Sequence, residues 1–266
     1  MTAKQNYVSN ELTHFLGRGI RAATPKKTRQ GQYELLLKIL REGQLSCREG
    51  SGGAIVIDPF AGFSSNRMIR PDGVCFCDIP LSSLAIHMRK YSQFGLAFPR
   101  PFLLQQGANP VFYVAGTATV RLWNLAGKRA EFHAEQRSTH FDKQFAEFYD
   151  CLREVKRYVH VRRADLMQPD PLVQRLEKVE AFLASVFGYF KCFDATTTED
   201  DEENYYMERE WRLRMNLKFE ITDVRRVILP CAFAKRFKSD VPGFAGVEQR
   251  IAAGVTSIRS RWACGR

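Results

Sequence analysis

Two stretches of helical periodicity in the middle of the chain constrain its fold more than any other feature of the sequence. In the first stretch, apolar residues recur at intervals of four and three, at Phe141, Phe145, Phe148, Leu152, Val155 and Val159. The second stretch repeats this spacing at Leu172, Leu176, Val179, Leu183, Val186 and Phe190. Such spacing places side chains on one face of an α-helix, and the prolines within residues 168–171 favour a turn between the two helices. The pattern predicts a helical hairpin over residues 138–192 whose apolar faces pack in a core.

Short apolar segments with the length of β-strands lie on both sides of this hairpin. They cover residues 74–77, 95–98, 111–114, 207–213 and 224–229. An order of strands, then helices, then strands is typical of an α+β domain. The sequence therefore predicts a single α+β domain over residues 1–266, with a sheet completed by the C-terminal third of the chain and the hairpin inserted within it.

Further helices and loops are expected in the first third of the chain. Residues 33–40 carry leucines and an isoleucine at helical spacing, and Gly43 is well placed as the C-cap of this helix. The sequence of residues 81–91 predicts a second helix. Residues 17–31 are basic, contain glycine and have few apolar side chains, so we expect a loop there. Residues 51–71 read as a long irregular connection.

The chain carries a net charge of +11, and its basic residues are clustered. The clusters comprise Arg18, Arg21, Lys26, Lys27 and Arg29, then Arg153, Lys156, Arg157, Arg162 and Arg163, and finally Arg259, Arg261 and Arg266. A surplus of this size favours an anionic partner such as nucleic acid, a dinucleotide or an acidic protein. A basic surface that only aids solubility is the other interpretation, and the sequence leaves both open.

Several classes of protein are disfavoured by the same composition. The seven cysteines follow no disulfide framework, and the five histidines show no metal-ligand spacing. Cys75 and Cys77 have no second pair, so we interpret them as small buried strand residues and expect no metal site. No run reaches the roughly 18 apolar residues of a membrane span. Residues 1–6 lack the apolar core of a signal peptide, so we expect a cytoplasmic protein that does not enter the membrane.

Two glutamates near the C-terminal third form the most suggestive local motif. Glu208 and Glu210 follow an acidic run at residues 199–203. In a strand they would share one face with Arg212, and Trp211 would lie on the other face. Neighbouring carboxylates repel each other, which can tune one of them for acid–base or cation-stabilising work. A solvated strand face with ordinary surface ion pairs is the alternative interpretation.

Several segments together resemble the AbiGi family of abortive phage-resistance proteins. They cover residues 12–15, 36–45, 74–80, 87–98, 106–113, 206–212 and 224–230. The order of a strand histidine, an aromatic middle motif and Glu-x-Glu also resembles proteins of the ADP-ribosyltransferase fold. That resemblance implies split sheets, mixed or antiparallel, around a cleft for NAD, with the helical hairpin inserted.

The resemblance to ADP-ribosyltransferases also implies catalytic roles for the two glutamates. Glu210 corresponds to the catalytic second acid of the Glu-x-Glu motif, and Glu208 would orient or deprotonate the acceptor. Breaking the bond between nicotinamide and ribose develops positive charge on the ribose, which a fixed carboxylate stabilises when water is excluded.

Four other residues are implied in binding NAD, which would serve as the substrate. His14 corresponds to the residue that hydrogen-bonds a ribose hydroxyl, although a lone histidine in an apolar strand is also typical of a satisfied core residue. Tyr91 and Phe94 would flank the nicotinamide. Arg212 either pairs with one of the glutamates and lowers the pKa of that carboxyl group, or holds an NAD phosphate.

Two functions follow from these resemblances. The first is an effector of phage defence that transfers ADP-ribose from NAD to a macromolecule, with RNA or DNA as the acceptor because phosphate neutralisation dominates such binding. The alternative is a non-catalytic antitoxin or regulatory component of an abortive-infection toxin–antitoxin pair, whose partner is the cognate protein. A third function, suggested by the basic residues of 150–163, is a nucleic-acid-binding module whose binding depends steeply on salt and is indifferent to NAD. The sequence leaves open whether the chain is an enzyme.

Overall fold

The computed structural model describes residues 9–47, 55–57, 69–80, 83–115, 147–148, 150–158, 171–193, 197–198, 201, 204–244 and 251–253. The chain divides into two compact units. The first, here called the sheet unit, comprises Met1–Gly52, Gly73–Pro110 and Met207–Arg266. The second, here called the helical unit, comprises Gly53–Asp72 and Val111–Tyr206. The expectation of a single domain over the whole chain stays a prediction.

A seven-stranded sheet forms the centre of the sheet unit. Its strands are β1 (Glu11–Phe15), β5 (Val74–Cys77), β6 (Gly95–Pro99), β7 (Asn109–Pro110), β10 (Glu210–Leu213), β12 (Arg226–Leu229) and β13 (Ile251–Ala253). They are arranged in the order β13-β12-β6-β1-β5-β10-β7. All neighbours are antiparallel except β12 and β13, which are parallel. A two-stranded antiparallel ribbon, β2 (Gln44–Leu45) with β11 (Leu217–Lys218), completes the unit's described strands. The predicted α+β class with antiparallel sheets is confirmed.

The register of this sheet assigns each side chain to one of two faces, because residues paired across strands point to the same side. One face packs against helices α1 (Pro25–Glu42) and α5 (Cys231–Asp240), and we call it the α1 face. Its fully buried aromatic side chains are Tyr33, Phe76, Phe94, Phe98 and Phe237. The other face, here called the α2 face, packs against the short helix α2 (Ala85–Lys90) through a smaller apolar cluster. That cluster contains Cys77, Ile79, Leu84, Met88 and Ile228.

Helix α1 starts earlier than the sequence predicted, within the expected loop at residues 17–31. The Thr24 side chain caps the helix by accepting a hydrogen bond from the Lys27 N–H, and Pro25 occupies the first turn. These first turns are polar and exposed, so they carry no apolar periodicity by which the sequence could show a helix. The C-cap at Gly43 is confirmed: its φ of 61° is left-handed, and its N–H bonds to the Ile39 carbonyl.

Other predicted elements are confirmed with changed boundaries. Strand β5 covers residues 74–77 as expected, and β12 ends immediately before Pro230. The predicted helix at 81–91 is shorter, and α3 (Arg100–Gln105) directly follows β6 without a predicted signal. Residues 81–82 lie outside the described ranges. The connection at 51–71, predicted as irregular, contains two paired antiparallel strands, β3 (Ile55–Ile57) and β4 (Ile69–Pro71).

Both stretches of helical periodicity are helical where the structure describes them, except at the end of the second stretch. Residues 147–148 and 150–158 are helical, and α4 spans Pro171–Phe187. Lys156 Nζ forms an ion pair with Glu180 Oε2 at 2.6 Å, which joins the two helical stretches. Residues 138–146 and 159–170 lie outside the described ranges, and that 138–192 forms an insert stays a prediction.

The predicted end of the second helical stretch is wrong. Phe190 does not continue α4 but begins strand β9 (Phe190–Phe193), which pairs in parallel with β8 (Phe112–Ala115). The Phe112 N–H donates to the Tyr189 carbonyl, and the Phe112 and Phe190 rings meet edge to face at 5.8 Å. These contacts between distant residues override a periodicity that would have prolonged the helix.

Within the described ranges, no helix is long and apolar enough to cross a bilayer.

Candidate functional site

The Glu-x-Glu segment is only partly a strand, which corrects the prediction that a strand covers residues 207–213. Residues Tyr205–Glu208 form a 3-10 helix, and β10 begins at Glu210. Between them Arg209 has a φ of 45°, a left-handed value that a non-glycine residue rarely adopts. The Arg209 carbonyl accepts the N–H of Asp78, which anchors this bend. The position of Glu208 therefore does not follow from strand alternation.

Glu210 and Arg212 lie together on the α2 face, paired across the sheet with Cys77 and Cys75 respectively. Arg212 Nε donates to Glu210 Oε1 at 2.5 Å, and both side chains are buried. Burial is the largest single effect and lowers the pKa of Arg212, but Glu210 and Cys75 together outweigh it, so the net pKa is raised. Of the two roles that the sequence left open for Arg212, the structure shows the ion pair with a glutamate.

Glu208 is buried on the same face, with 4% of the residue exposed. Lys90, at the end of α2, places its Nζ 3.1 Å from Glu208 Oε1. The Tyr91 hydroxyl donates a hydrogen bond to the same carboxylate oxygen. Burial, and next the charge of Glu208, raise the pKa of Tyr91, so this phenol stays protonated and acts as a donor.

Asp78 is a third buried carboxylate, and it lies at the end of β5. Arg100 approaches it at 3.3 Å and Arg209 at 3.7 Å, and the Ser9 N–H donates to it at 3.0 Å. We call Asp78, Glu208 and Glu210 the carboxylate cluster. Its cationic partners are Lys90, Arg100, Arg209 and Arg212. Each buried carboxylate therefore has a positive partner, the arrangement that makes burial of a charge tolerable.

The sequence did not reveal Lys90, Arg100 or Asp78 as members of this cluster. Lysine and arginine are seldom buried unless they are paired, and each of these two belongs to a helix with no motif of its own. The nearest available signal was Asp78 immediately after an apolar strand. Charged side chains at strand ends are common, however, so that signal does not indicate a site.

His14 does not join the glutamates. Thr13 of β1 pairs with Cys77, which in turn pairs with Glu210, so Thr13 shares the Glu210 face and His14 points to the α1 face. The half-buried ring contacts Phe76, with centroids 5.7 Å apart. His14 Nδ1 lies 2.7 Å from the Cys75 carbonyl oxygen, so Nδ1 carries the proton. Burial lowers the pKa of His14, and the hydrogen bond to Cys75 partly offsets this effect. His14 is thus a half-buried residue whose ring packs on Phe76 and whose Nδ1 is hydrogen-bonded, and its role toward NAD stays a prediction.

Phe94 also lies away from the glutamates. It is fully buried in the core of the α1 face, where its ring meets Phe233 edge to face at 5.3 Å. Tyr91 and Arg212, in contrast, lie with the glutamates. The predicted NAD-binding residues are therefore divided between the two faces of the sheet, and their roles toward NAD stay predictions.

Two further features of the α2 face concern its rings and thiols. The Tyr91 ring stacks on Phe15 with centroids 6.1 Å apart, and the Arg18 guanidinium lies 5.0 Å from its centroid. Cys77 is buried, and burial, followed by the charge of Glu208, raises the pKa of its thiol. Cys75 is exposed, which corrects the expectation that both cysteines are buried. Across the described part of the chain, no three His, Cys, Asp or Glu side chains are placed to hold a metal ion.

Comparison with known families places this chain in a class of phage-resistance proteins. The family model described as "Putative abortive phage resistance protein AbiGi, antitoxin" matches residues 66–238. This match covers more than half of the chain, so the chain belongs to the AbiGi family. The matched residues include the whole carboxylate cluster, whereas His14 and the basic residues 18–29 lie outside them. No curated protein and no solved structure matches the chain.

Proposed function

We propose that this chain is the antitoxin of an abortive-infection pair and acts by binding a cognate toxin protein, without catalysis. The family description supports the phage-resistance setting and the antitoxin role. The observation that carries the proposal is that both glutamates, which were the best catalytic candidates, are buried in ion pairs. Each is buried and held by a cation, Glu208 by Lys90 and Glu210 by Arg212.

A carboxylate that is held in a buried ion pair suits a structural role better than a catalytic one. A catalytic carboxylate accelerates a reaction through interactions that strengthen in the transition state. Glu210 already directs Oε1 to Arg212 at 2.5 Å and has 5% of its surface exposed. A buried pair of this kind resists disruption, since removal of one partner from a buried pair costs about 3–5 kcal/mol.

Helix α4 supplies a surface suited to a protein partner. Its exposed large apolar side chains recur at intervals of seven, three and four, at Leu172, Val179, Phe182 and Val186. Phe182 is 66% exposed, which is unusual for so large an apolar side chain. Leu172, Val179 and Val186 belong to the stripe that the sequence predicted to pack in a core, and their exposure corrects that prediction. Val173, which lies outside that stripe, is buried. An apolar stripe of this kind is typical of protein–protein contacts.

Binding to the toxin encoded by the adjacent gene tests this proposal. We expect the purified chain to capture that toxin and to restore growth when the two are co-expressed. The double change Val179→Asp and Phe182→Asp should abolish both effects, because two charges would be buried in the contact. Matched changes at the exposed Leu104 and Met215, on the sheet unit, should leave both effects intact. Full rescue by the Val179/Phe182 variant would exclude this surface, and absence of any toxin binding or rescue would exclude the function.

A second candidate is an ADP-ribosyltransferase-type effector that moves ADP-ribose from NAD to RNA, DNA or a protein. The contact between Tyr91 and Glu208 favours it, because it joins a proposed nicotinamide-flanking ring to a proposed catalytic acid. In this reading Glu210 is the catalytic glutamate, and Arg212 lies beside it.

Labelled NAD distinguishes the two candidates. The folded chain is incubated with labelled NAD and with RNA, DNA or cell lysate, and label transfer and nicotinamide release are measured. An antitoxin that only binds should show neither. Turnover that is lost in Glu210→Gln, while the variant keeps its thermal stability, would establish the effector and overturn the antitoxin proposal.

A further inference from the structure

We propose that the segment from Arg18 to Arg29 is a binding surface for the phosphate backbone of nucleic acid, used independently of base sequence. Residues 17–31 contain five basic residues and no acidic residue. They are Arg18, Arg21, Lys26, Lys27 and Arg29. This short segment thus carries nearly half of the chain's net charge of +11, so the positive charge is concentrated rather than spread evenly.

The structure leaves the basic side chains of this segment at the surface, although the Arg18 guanidinium also lies over the Tyr91 ring. Arg18 and Arg21 lie in the loop between β1 and α1, and the other three lie in the first turns of α1. All five residues are exposed. In the part of the chain that the structure describes, none of the five forms an ion pair with a carboxylate. They differ in this respect from Lys90 and Arg212, whose charges are buried against glutamates.

The chemistry of the segment favours nucleic acid over an acidic protein. A protein interface usually needs apolar or aromatic anchors at its centre. The only large aliphatic side chain of residues 17–31, Ile20, is partly buried, and the exposed large apolar residues lie elsewhere. A phosphate backbone needs no such anchor, because lysine and arginine bind it chiefly through charge neutralisation and counterion release. Recognition of base edges would require groups that this segment does not concentrate, so we infer binding without sequence preference.

Salt-dependent binding tests the proposal with the purified full-length chain. Fluorescence anisotropy is measured with a labelled mixed-sequence DNA duplex and with a labelled single-stranded RNA, over a series of salt concentrations. Neutralised phosphates lower the logarithm of the binding constant with a slope of about −0.9 each for duplex DNA. Five contacts therefore predict a slope of up to about −4.5. Changing Arg21, Lys26 and Lys27 together to Gln should reduce the magnitude of this slope by about three and weaken binding at least tenfold.

A matched triple variant controls for net charge. Lys218, Arg225 and Lys235 are exposed on the same unit but outside the segment. Changing them to Gln removes the same charge and should leave the slope nearly unchanged. Equal losses in both triple variants would overturn the proposal in favour of diffuse charge, and so would the absence of salt-dependent binding. Displacement of nucleic acid by poly-glutamate at equal charge concentration would assign the surface to an acidic protein instead. Toxin is absent from these measurements, so their outcome is independent of the antitoxin proposal.

Discussion

The two faces of the seven-stranded sheet are covered by side chains of different chemistry. The α1 face is apolar and aromatic, with Phe76, Phe94 and Phe98 fully buried between the sheet and its helices. The α2 face combines a small apolar cluster with the buried carboxylates Glu208 and Glu210 and their cationic partners Lys90 and Arg212. An apolar core stabilises in rough proportion to the area that it buries. A buried ionic cluster adds less net stability, but it is costly to break because removal of one charge leaves another unpaired.

The two faces should therefore respond differently to substitution. Damage to the α1 face removes contacts and creates a cavity, so a second substitution nearby should not repair it. Damage to the α2 face leaves an unpaired charge, so removal of the opposite charge should repair it.

Loss of the Arg212 charge should be the most damaging change. Arg212→Met leaves Glu210 buried without its cation, and we expect the free energy of unfolding to fall by about 3–5 kcal/mol. Adding Glu210→Leu should restore most of this loss, because an apolar pair often replaces a buried ion pair at little cost. Urea denaturation measures both variants. A double variant that is no more stable than Arg212→Met would show that the pair is not the source of the effect.

A cavity on the α1 face should be nearly as costly and should resist repair. Leu36 of α1 is fully buried in the core, and Leu36→Ala should lower the free energy of unfolding by about 2–5 kcal/mol. Denaturant titration of this variant gives the reference for the α1 face. Changing the neighbouring Leu37 to Ala as well should deepen the loss, in contrast to the repair expected at Glu210. A double variant more stable than Leu36→Ala would remove the distinction between the two faces.

The Tyr91 hydroxyl should contribute a smaller amount that depends on pH. Tyr91→Phe removes a hydrogen bond to the buried Glu208 carboxylate, and bonds to charged groups are worth about 1.5–3 kcal/mol. The folded pKa of Tyr91 lies above the unfolded value of 10.0. Its contribution is therefore fully present below pH 10 and is lost as pH rises beyond it, because the unfolded tyrosine ionises first.

Comparison with a tyrosine of the α1 face sharpens this test. Tyr33 donates to Asp240 at 2.8 Å, and burial also raises its pKa. Denaturant titrations at pH 8 and pH 11 should show that Tyr91→Phe and Tyr33→Phe each reduce the alkaline loss of stability. An unchanged alkaline loss in Tyr91→Phe would contradict the buried hydrogen bond to Glu208.

The smallest expected effect is that of His14 on the stability of the fold at acidic pH. The folded pKa of His14 is below its ordinary value of 6.5, mainly because the ring is buried. As pH falls below 6.5 the unfolded state takes up this proton first, so the fold loses stability. His14→Gln should flatten the curve between pH 7 and pH 5, measured by thermal unfolding, whereas Tyr33→Phe should not. An equally steep acid loss in His14→Gln would show that the His14 ring is not desolvated.

Helices and strands could be predicted from the sequence where residues close together in the chain cause them to form. The structure confirms the strand at residues 74–77 and the helix end at Gly43. Both could be predicted because an apolar run and a left-handed cap each depend on only a few neighbouring residues. The start of α1 was missed because Thr24 and Pro25 open a polar, exposed turn without apolar spacing. The strand at Phe190 was missed because its partner, β8, lies far away in the chain.

The residues of the candidate site could likewise be predicted only in part. The sequence singled out Glu208, Glu210, Tyr91 and Arg212, and the structure brings these four together on the α2 face. It does not bring His14 or Phe94 to them. Lys90 was overlooked because a buried lysine is recognisable only once its carboxylate partner is known.

The amino-acid sequence is enough to indicate the α+β class, the strongest helical stretches, the concentration of positive charge at residues 18–29 and the pair of acids in Glu-x-Glu. Those properties depend on composition and on spacing along the chain. The folded chain, by contrast, pairs Glu210 with Arg212, brings Lys90 and Tyr91 to Glu208, and points His14 to the opposite face. The physical reason is register: a shift of one residue in strand pairing moves a side chain to the other face of a sheet. Register is set by contacts between residues that are distant in the chain.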